Sequence, residues 1–243
     1  MSILTDEIGW NFDNTYCHLP ELLMTKINPI TVINPSLKLL NDNLAKQLNL
    51  NFTNQDKSYL SSLFSGNVLP HGSNCIAQAY AGHQFGHFTM LGDGRAVLLG
   101  EHLTNANKRF DIQFKGSGRT PYSRNGDGKA ALGPMLREYI ISEAMNGLGI
   151  PTTRSLALVT TGEEIIREKK SQAAILTRVA SSHIRVGTFQ YLATKNNIKA
   201  LKKLIHYTFS RHYENKTENN NIAIKLLTGL IDKQISLVLN WMR

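Results

Sequence analysis

Residues 92–138 read GDGRAVLLGEHLTNANKRFDIQFKGSGRTPYSRNGDGKAALGPMLRE, and the fold is decided there. Gly92 and Gly94 flank Asp93 between two apolar runs, Phe85 to Leu91 and Ala96 to Leu99. That pattern predicts a hairpin whose tight turn needs positive φ, a conformation glycine enters without steric cost. Such a turn can also present backbone N–H groups to an anion. Phe110, Ile112 and Phe114 then alternate with Asp111, Gln113 and Lys115. A period of two marks a half-buried strand, with Lys115 on its polar face at the exit.

The next segment, Gly116 to Lys129, carries Gly116, Gly118, Gly126 and Gly128 together with Arg119, Arg124 and Lys129. A helix is expected from Pro134, which suits a first helical position, to about Asn146, with Gly147 as its stop. Leu136, Ile140 and Ala144 share one face of it, joined by Ile141 and Met145. Glu138 leaves the helix about 200° from Ile140 and can face across toward a strand. Glycine turn, strand ending in lysine, helix carrying glutamate: this is the order of a protein-kinase small lobe, where the lysine pairs with phosphates and with the glutamate. An ordinary surface ion pair between Lys115 and Glu138, worth about 0 to 1 kcal/mol, is the plainer reading of the same spacing.

Composition bounds the alternatives. With 243 residues, 42% of them hydrophobic, the chain can bury one large core or two small lobes. No apolar run approaches the ~20 residues of a membrane span. Met1 to Asn14 lacks the basic and apolar regions of a secretory signal, so the cytoplasm is the expected location. Cys17 and Cys75 are too few for a disulfide framework or a four-ligand zinc site and read as buried thiols. The formal charge of +9 is compatible with nucleic acid, a membrane surface or an anionic ligand. Basic residues are dispersed, and the dense cluster Lys199, Lys202 and Lys203 has no interleaved aromatics, so neither nucleic acid nor membrane is expected as a partner.

Outward from the central stretch, Trp10 to Ile33 reads as an extended segment packed on the body. Asn34-Pro35-Ser36 is expected to open a helix through Leu37, Leu40, Leu44 and Leu48, and a shorter helix is expected near Asp56 to Phe64, stopped by Gly66. His83 and His87 are spaced like a ligand pair, but Gly86 between them and the strand pattern after them disfavour a metal, as they do for His71. After Pro151, strands are expected at Ser155 to Val159, Glu164 to Arg167 and Ala173 to Val179, with turns at Thr161-Gly162 and Lys169 to Ser171. Arg178 leaves the third strand and Arg185 follows in SSHIRVGTF. A helix over Asn196 to His212, a polar loop from Tyr213 to Asn221, and a last helix with Ile224, Leu227, Ile231, Ile235 and Val238 in register complete the chain.

The strings PHGSNCIAQAYAGHQFGHFTMLGDGRA, FDIQFKGSGRTPYSRNGDGKAALGPMLREYIISEAMNGLGIPTTRSLALV and ILTRVASSHIRVGTFQYLA resemble the selenoprotein O family, protein adenylyltransferases with a kinase-like fold. The likeness is dense from Trp10 to Tyr191 and thins beyond. It implies an α+β, protein-kinase-like fold: an N-terminal extension over 1–70, a β-rich small lobe with the nucleotide site over 71–182, and the first helices of an incomplete large lobe over 183–243. It implies ATP with Mg2+, or Mn2+ for a variant transferring UMP, and protein substrates modified on Ser, Thr or Tyr. Carried over position by position, Gly92, Gly94, Arg95, Lys115, Asp127, Gly128, Arg178 and Arg185 contact nucleotide, and Glu138 pairs with Lys115. In that family an aspartate base and metal-binding Asn and Asp follow the last of these helices. No HGxxNTDN-like string occurs in this sequence, so the base and metal ligands are expected beyond Arg243, the chain alone is expected to be inactive, and a separate C-terminal half is an expected partner. Three outcomes therefore stay open: adenylyl transfer, non-catalytic nucleotide binding by a fragment, and ordinary kinase activity.

Overall fold

The computed structural model describes residues 8–84, 86–213 and 221–242. Its sheet is covered on both faces, so the strand at 109–115, expected to be half-buried from its alternation, buries Asp111 and Gln113 as fully as Ile112 and Phe114. In chain order its elements are β1 (Met24–Lys26), β2 (Ser36–Leu40), α1 (Asp42–Gln47), α2 (Lys57–Ser65), β3 (Ile76–Gln78), β4 (Ala81–Gln84), β5 (His87–Met90), β6 (Ala96–Leu103) and β7 (Arg109–Lys115). They continue with β8 (Ala130–Ala131), α3 (Leu132–Gly147), β9 (Arg154–Ile166), β10 (Lys170–Ala180), α4 (Val186–Thr194), α5 (Ile198–His212) and α6 (Ile222–Trp241). The fold is a mixed α+β one. Seven strands run in the order β1-β3-β6-β7-β10-β9-β2, each pair antiparallel, with β8 pairing β10 off that path.

One sheet face packs on α1 and α2 through Leu44, Leu48, Leu63 and Phe64 against Val97, Ile112, Phe114 and Ile175. The other face is divided. At one end Met135 of α3 meets Leu158, Ala174 and Leu176. At the other, Leu192 of α4 and Leu204 of α5 meet Ile76 and Leu98. Between these two apolar clusters lie the polar side chains of β7, so the sheet buries a strip that carries charge.

Several expectations are corrected. Ser36–Leu40 is a strand paired to β9, not the first turns of a helix; its side chains are finished by sheet pairing, and the helix begins only after Asn41, whose side chain caps Leu44 N–H. The expected turn at Thr161-Gly162 is a bulge within the long strand β9, where Gly162 takes φ +80 and the register to β10 shifts. Leu136 packs inward as expected, together with Met135, Tyr139 and Ser142, whereas Ile140 and Ile141 are more than half exposed. Helix α4 was not foreseen. The helix near 56–64 forms as expected, capped by Asp56 and ended by Gly66 in the left-handed conformation. The polar loop expected at Tyr213 to Asn221 lies, apart from its ends, outside the described residues. Among the described residues no helix is long and apolar enough to cross a membrane.

Candidate functional site

The glycine segment does not turn a hairpin between the runs flanking it. Strand β5 pairs with β4, and β6 pairs with β3 and β7. Residues 76–84 and 87–98 thus form one irregular arm whose tip is at Gly86, and Gly92 to Gly94 is a break midway along it. Leu91 and Asp93 donate their N–H groups to the Tyr80 and Gln78 carbonyls, and Gly94 N–H bonds to the Gly92 carbonyl. The amides of Asp93 and Gly94 are therefore committed within the protein. The segment needs glycine because the loop after β7 lies against it: a Cβ on Gly92, at φ +96, would collide with the Tyr122 ring, and one on Gly94 would stand 2.7 Å from the Tyr122 carbonyl oxygen. Thr120 and Ser123 hydroxyls clamp the Asp93 and Gly94 carbonyls at 2.6 and 2.5 Å.

Asp93 itself turns inward and is 3% exposed. Its Oδ2 accepts Gln78 N–H at 3.1 Å and Gln113 Nε2 at 3.2 Å. Burial raises its carboxyl pKa, opposed chiefly by the positive charge of Arg185. From Gln113 the network runs on: its Oε1 accepts Arg178 Nη1 at 3.1 Å, Arg178 Nε donates to Glu138 Oε1 at 2.6 Å, and Lys115 Nζ donates to Glu138 Oε2 at 2.6 Å. The two basic residues and Glu138 are mostly shielded from water. Burial alone would raise the Glu138 pKa; Arg178 and then Lys115 overcome it and hold the carboxyl below the usual range. Lys115 is depressed in spite of its ion pair, first by burial and then by Arg178, with Arg95 adding to it. Positive charge here exceeds what Glu138 can neutralise.

Arg185 caps α4, donates Nε to the His183 carbonyl at 3.1 Å, and lays its guanidinium over the Tyr80 ring 4.0 Å from the centroid. His183 is fixed in turn by Asp111, which accepts its backbone N–H at 2.7 Å. Tyr80 feels Arg185, Arg178 and Arg95 together, each favouring its phenolate against a burial that raises its pKa. Among the described residues neither Arg95 nor Arg185 has a carboxylate in ion-pair range.

Beside this strip a cleft of about 640 Å³ is lined by Tyr80, Gly92, Gly94, Arg95, Tyr122, Asp127, Gly128, Lys129 and Arg167. The residues singled out from sequence thus divide into groups. Gly92, Gly94, Arg95, Asp127 and Gly128 border the cleft; Lys115, Glu138 and Arg178 form an ion-paired strip outside its lining, with Glu138 and Arg178 facing a separate cavity beside Ser142, Thr152 and Trp241; Tyr80, which lines the cleft, carries Arg185 on its ring. Asp127 pairs with Arg167 at 2.7 Å and accepts Lys129 N–H at 2.9 Å, and Gly128 packs so tightly on Gly118 that no Cβ fits. Sequence reading missed Asp93, Tyr80 and the role of Gln113. Asp93 had a signal in lying between two glycines, and Gln113 in alternating with Asp111 and Lys115; Tyr80 had none.

His83 packs edge-on against Phe88. Among the described residues no group of three or more His, Cys, Asp or Glu side chains could hold a metal ion. The Mg2+ or Mn2+ that the resemblance implies finds no protein cage among those residues.

A family model described as protein adenylyltransferase SelO matches residues 7–243. The chain is 64% identical over 236 residues to protein nucleotidyltransferase YdiU of Pelagibacter ubique, covering 97% of this chain and 49% of that relative. It is 59% identical over 237 residues to protein nucleotidyltransferase YdiU of Nitrosococcus oceani, covering 98% and 48%. The relative of the same name from Brevibacillus brevis is 59% identical over 238 residues, with 98% and 48% covered. The chain spans about half the length of the curated relatives it matches.

Proposed function

The chain belongs to the SelO family of protein adenylyltransferases, and from that premise we propose that it binds ATP along the strip between Gly92 and Arg185, within a kinase-like small lobe, for transfer of AMP to protein hydroxyls. The observation that carries this reading is the surplus of positive charge. Arg95, Arg178 and Arg185 act together on Tyr80, and Arg95 and Arg178 act on Lys115, while Glu138 and the buried Asp93 are the carboxylates facing them. Lys115 is held below its ordinary pKa although it is ion-paired, which is the condition an added polyanion relieves.

In this reading Arg178 and Arg185 clamp phosphate oxygens through their planar forks and Lys115 adds a point charge, oriented by Glu138. Asp127 and Gly128 close the far side of the cleft, and Gly92 and Gly94 let Tyr122 and Ser123 shape its floor. By family resemblance the triphosphate lies opposite to the kinase sense, so a Ser, Thr or Tyr oxygen attacks the α-phosphorus. The bond from that phosphorus to the oxygen bridging to the β-phosphate then breaks and pyrophosphate leaves, while the hydroxyl proton passes to the aspartate base that the resemblance places beyond Arg243. Preorganised cations supply the charge stabilisation this needs. UMP transfer with Mn2+ is the family variant. In lobe terms 1–70 forms the extension, 71–182 the small lobe and 183–243 the first helices of the large lobe.

A second reading is ATP binding without transfer, for which the cations Lys115, Arg178 and Arg185 suffice by themselves. Labelled ATP separates the readings. Label from the α-position on protein marks adenylyl transfer, label from the γ-position marks a kinase, and calorimetric binding with neither marks a binding fragment. Lys115→Ala is expected to remove ATP binding while leaving the fold intact; wild-type affinity in that variant would overturn the site.

A further inference from the structure

Gln113 is the middle polar residue of β7 and is wholly buried. Sheet register sets it directly opposite Arg178 on β10 and Leu98 on β6, so its side chain has one charged neighbour and one apolar wall. Its amide is used from both ends. The oxygen accepts Arg178 Nη1 at 3.1 Å and the nitrogen donates to Asp93 Oδ2 at 3.2 Å. A carboxylate there would stand against buried Asp93, and an ammonium would stand against Arg178 and Lys115. A neutral group with both a donor and an acceptor satisfies each neighbour without adding charge.

The consequence falls on Arg178. Its Nε is taken by Glu138 and its Nη1 by Gln113, while Nη2 has no partner among the described residues. Two fixed bonds orient the guanidinium plane, and the remaining edge is the one left to bind. The same amide ties the glycine break to helix α3, because Asp93, Gln113, Arg178 and Glu138 are consecutive links of one hydrogen-bonded chain.

We propose that Gln113 is a positioning residue: it fixes Arg178 so that the Nη2 edge meets a phosphate, and it couples the 92–94 segment to Glu138. The role rests on the ATP reading above. Replacing the amide by a hydrocarbon frees Arg178 to rotate and leaves Asp93 with a single donor, Gln78 N–H.

Calorimetry of the full chain with ATP and with adenosine, for wild type, Gln113→Leu, Arg178→Ala and the double variant, tests it. Gln113→Leu is expected to weaken ATP about tenfold, the effect of one lost hydrogen bond to a charged group, and to leave adenosine unchanged. In the Arg178→Ala background it is expected to cause no further loss, since both changes remove one interaction. Equal losses for ATP and adenosine, or effects that add in full, overturn the proposal. Hydrogen exchange of the ligand-free chain separates it from the ATP reading: faster exchange at Asp93 in Gln113→Leu is expected. Raised exchange in a chain that binds no ATP keeps the coupling and removes the nucleotide site; unchanged exchange overturns the coupling even where ATP binds.

Discussion

Arg178 Nε reaches Glu138 Oε1 at 2.6 Å, joining β10 to α3 through the carboxylate whose other oxygen is held by Lys115. Glu138 is thus the hinge between two cations that would otherwise face each other. Glu138→Ala is expected to destabilise the chain by about 1–2 kcal/mol, less than a fully buried pair because water still reaches part of it. Urea unfolding measures this. Added tripolyphosphate should restore part of the loss in Glu138→Ala, because a bound anion replaces the missing carboxylate; no restoration would count against an anion site between Lys115 and Arg178.

A second ion cluster fastens α5 to the sheet. Glu101 and Asp111 are directly opposite in the β6–β7 register, and Arg211 donates to Glu101 at 2.9 Å and to Asp111 at 2.5 Å, all three buried. Arg211→Met removes the cation shared by both carboxylates, leaving Glu101 to Arg109 and Asp111 to His183, and is expected to cost about 3 kcal/mol. Arg211→Lys should recover little, since one ammonium cannot bridge both as the fork does. The urea midpoints of the two variants check this.

The strand, the glutamate and the lysine were legible because each depends on local pattern: β7 alternates, and α3 places Glu138 opposite Ile140. What sequence could not supply was pairing. Leu37, Leu40, Leu44 and Leu48 fit a helical period, yet Ser36–Leu40 is claimed by β9, a partner more than a hundred residues away. The glycine break reads as a hairpin turn for the same reason, since glycine is required at 92 and 94 by Tyr122 across the loop and not by a turn joining the flanking strands. Asp93 became visible only when packing turned its carboxylate inward toward Gln113.

His212 gives a pH signature. Burial, then Arg211 and Lys233, push its pKa down to about 4, and its Nε2 lies 2.9 Å from Ser182 Oγ. The folded state therefore binds this proton less readily than the unfolded one. Stability from this group is complete above the ordinary histidine pKa of about 6.5 and is lost as pH falls from there toward 4. Thermal melts across that window should lose about 1–2 kcal/mol through it, discounted for partial solvent access. In His212→Gln the slope between pH 6.5 and 4 is expected to flatten; an unchanged slope would assign it elsewhere.

Two glycines separate packing from propensity. Gly128 has φ +71 and no room beside the Gly118 backbone, so Gly128→Ala is expected to destabilise by about 2 kcal/mol or more and to disorder the cleft wall. Gly133, in the first turns of α3, has no atom within 4 Å of an added Cβ and an ordinary φ. Gly133→Ala should leave stability unchanged or raise it by up to about 1 kcal/mol. Melting temperatures of the pair measure the contrast, and equal losses would mean that backbone strain is not what selects glycine at 128.

Helix α6 carries Ile224, Leu227, Ile231, Ile235 and Val238 on one stripe, and each is between 49% and 60% exposed. Its buried hydrophobic residue is Leu226, on the side facing α5. Adjacent apolar side chains at that spacing form a continuous patch, which soluble monomers rarely leave open. The isolated chain is therefore expected to self-associate with rising concentration, seen as a growing apparent mass in size-exclusion chromatography with light scattering. Ile231→Glu combined with Val238→Glu should return it to a monomer with an unchanged melting temperature, because neither side chain belongs to the buried core. A wild-type chain that stays monomeric at high concentration would mean that the stripe does not drive association.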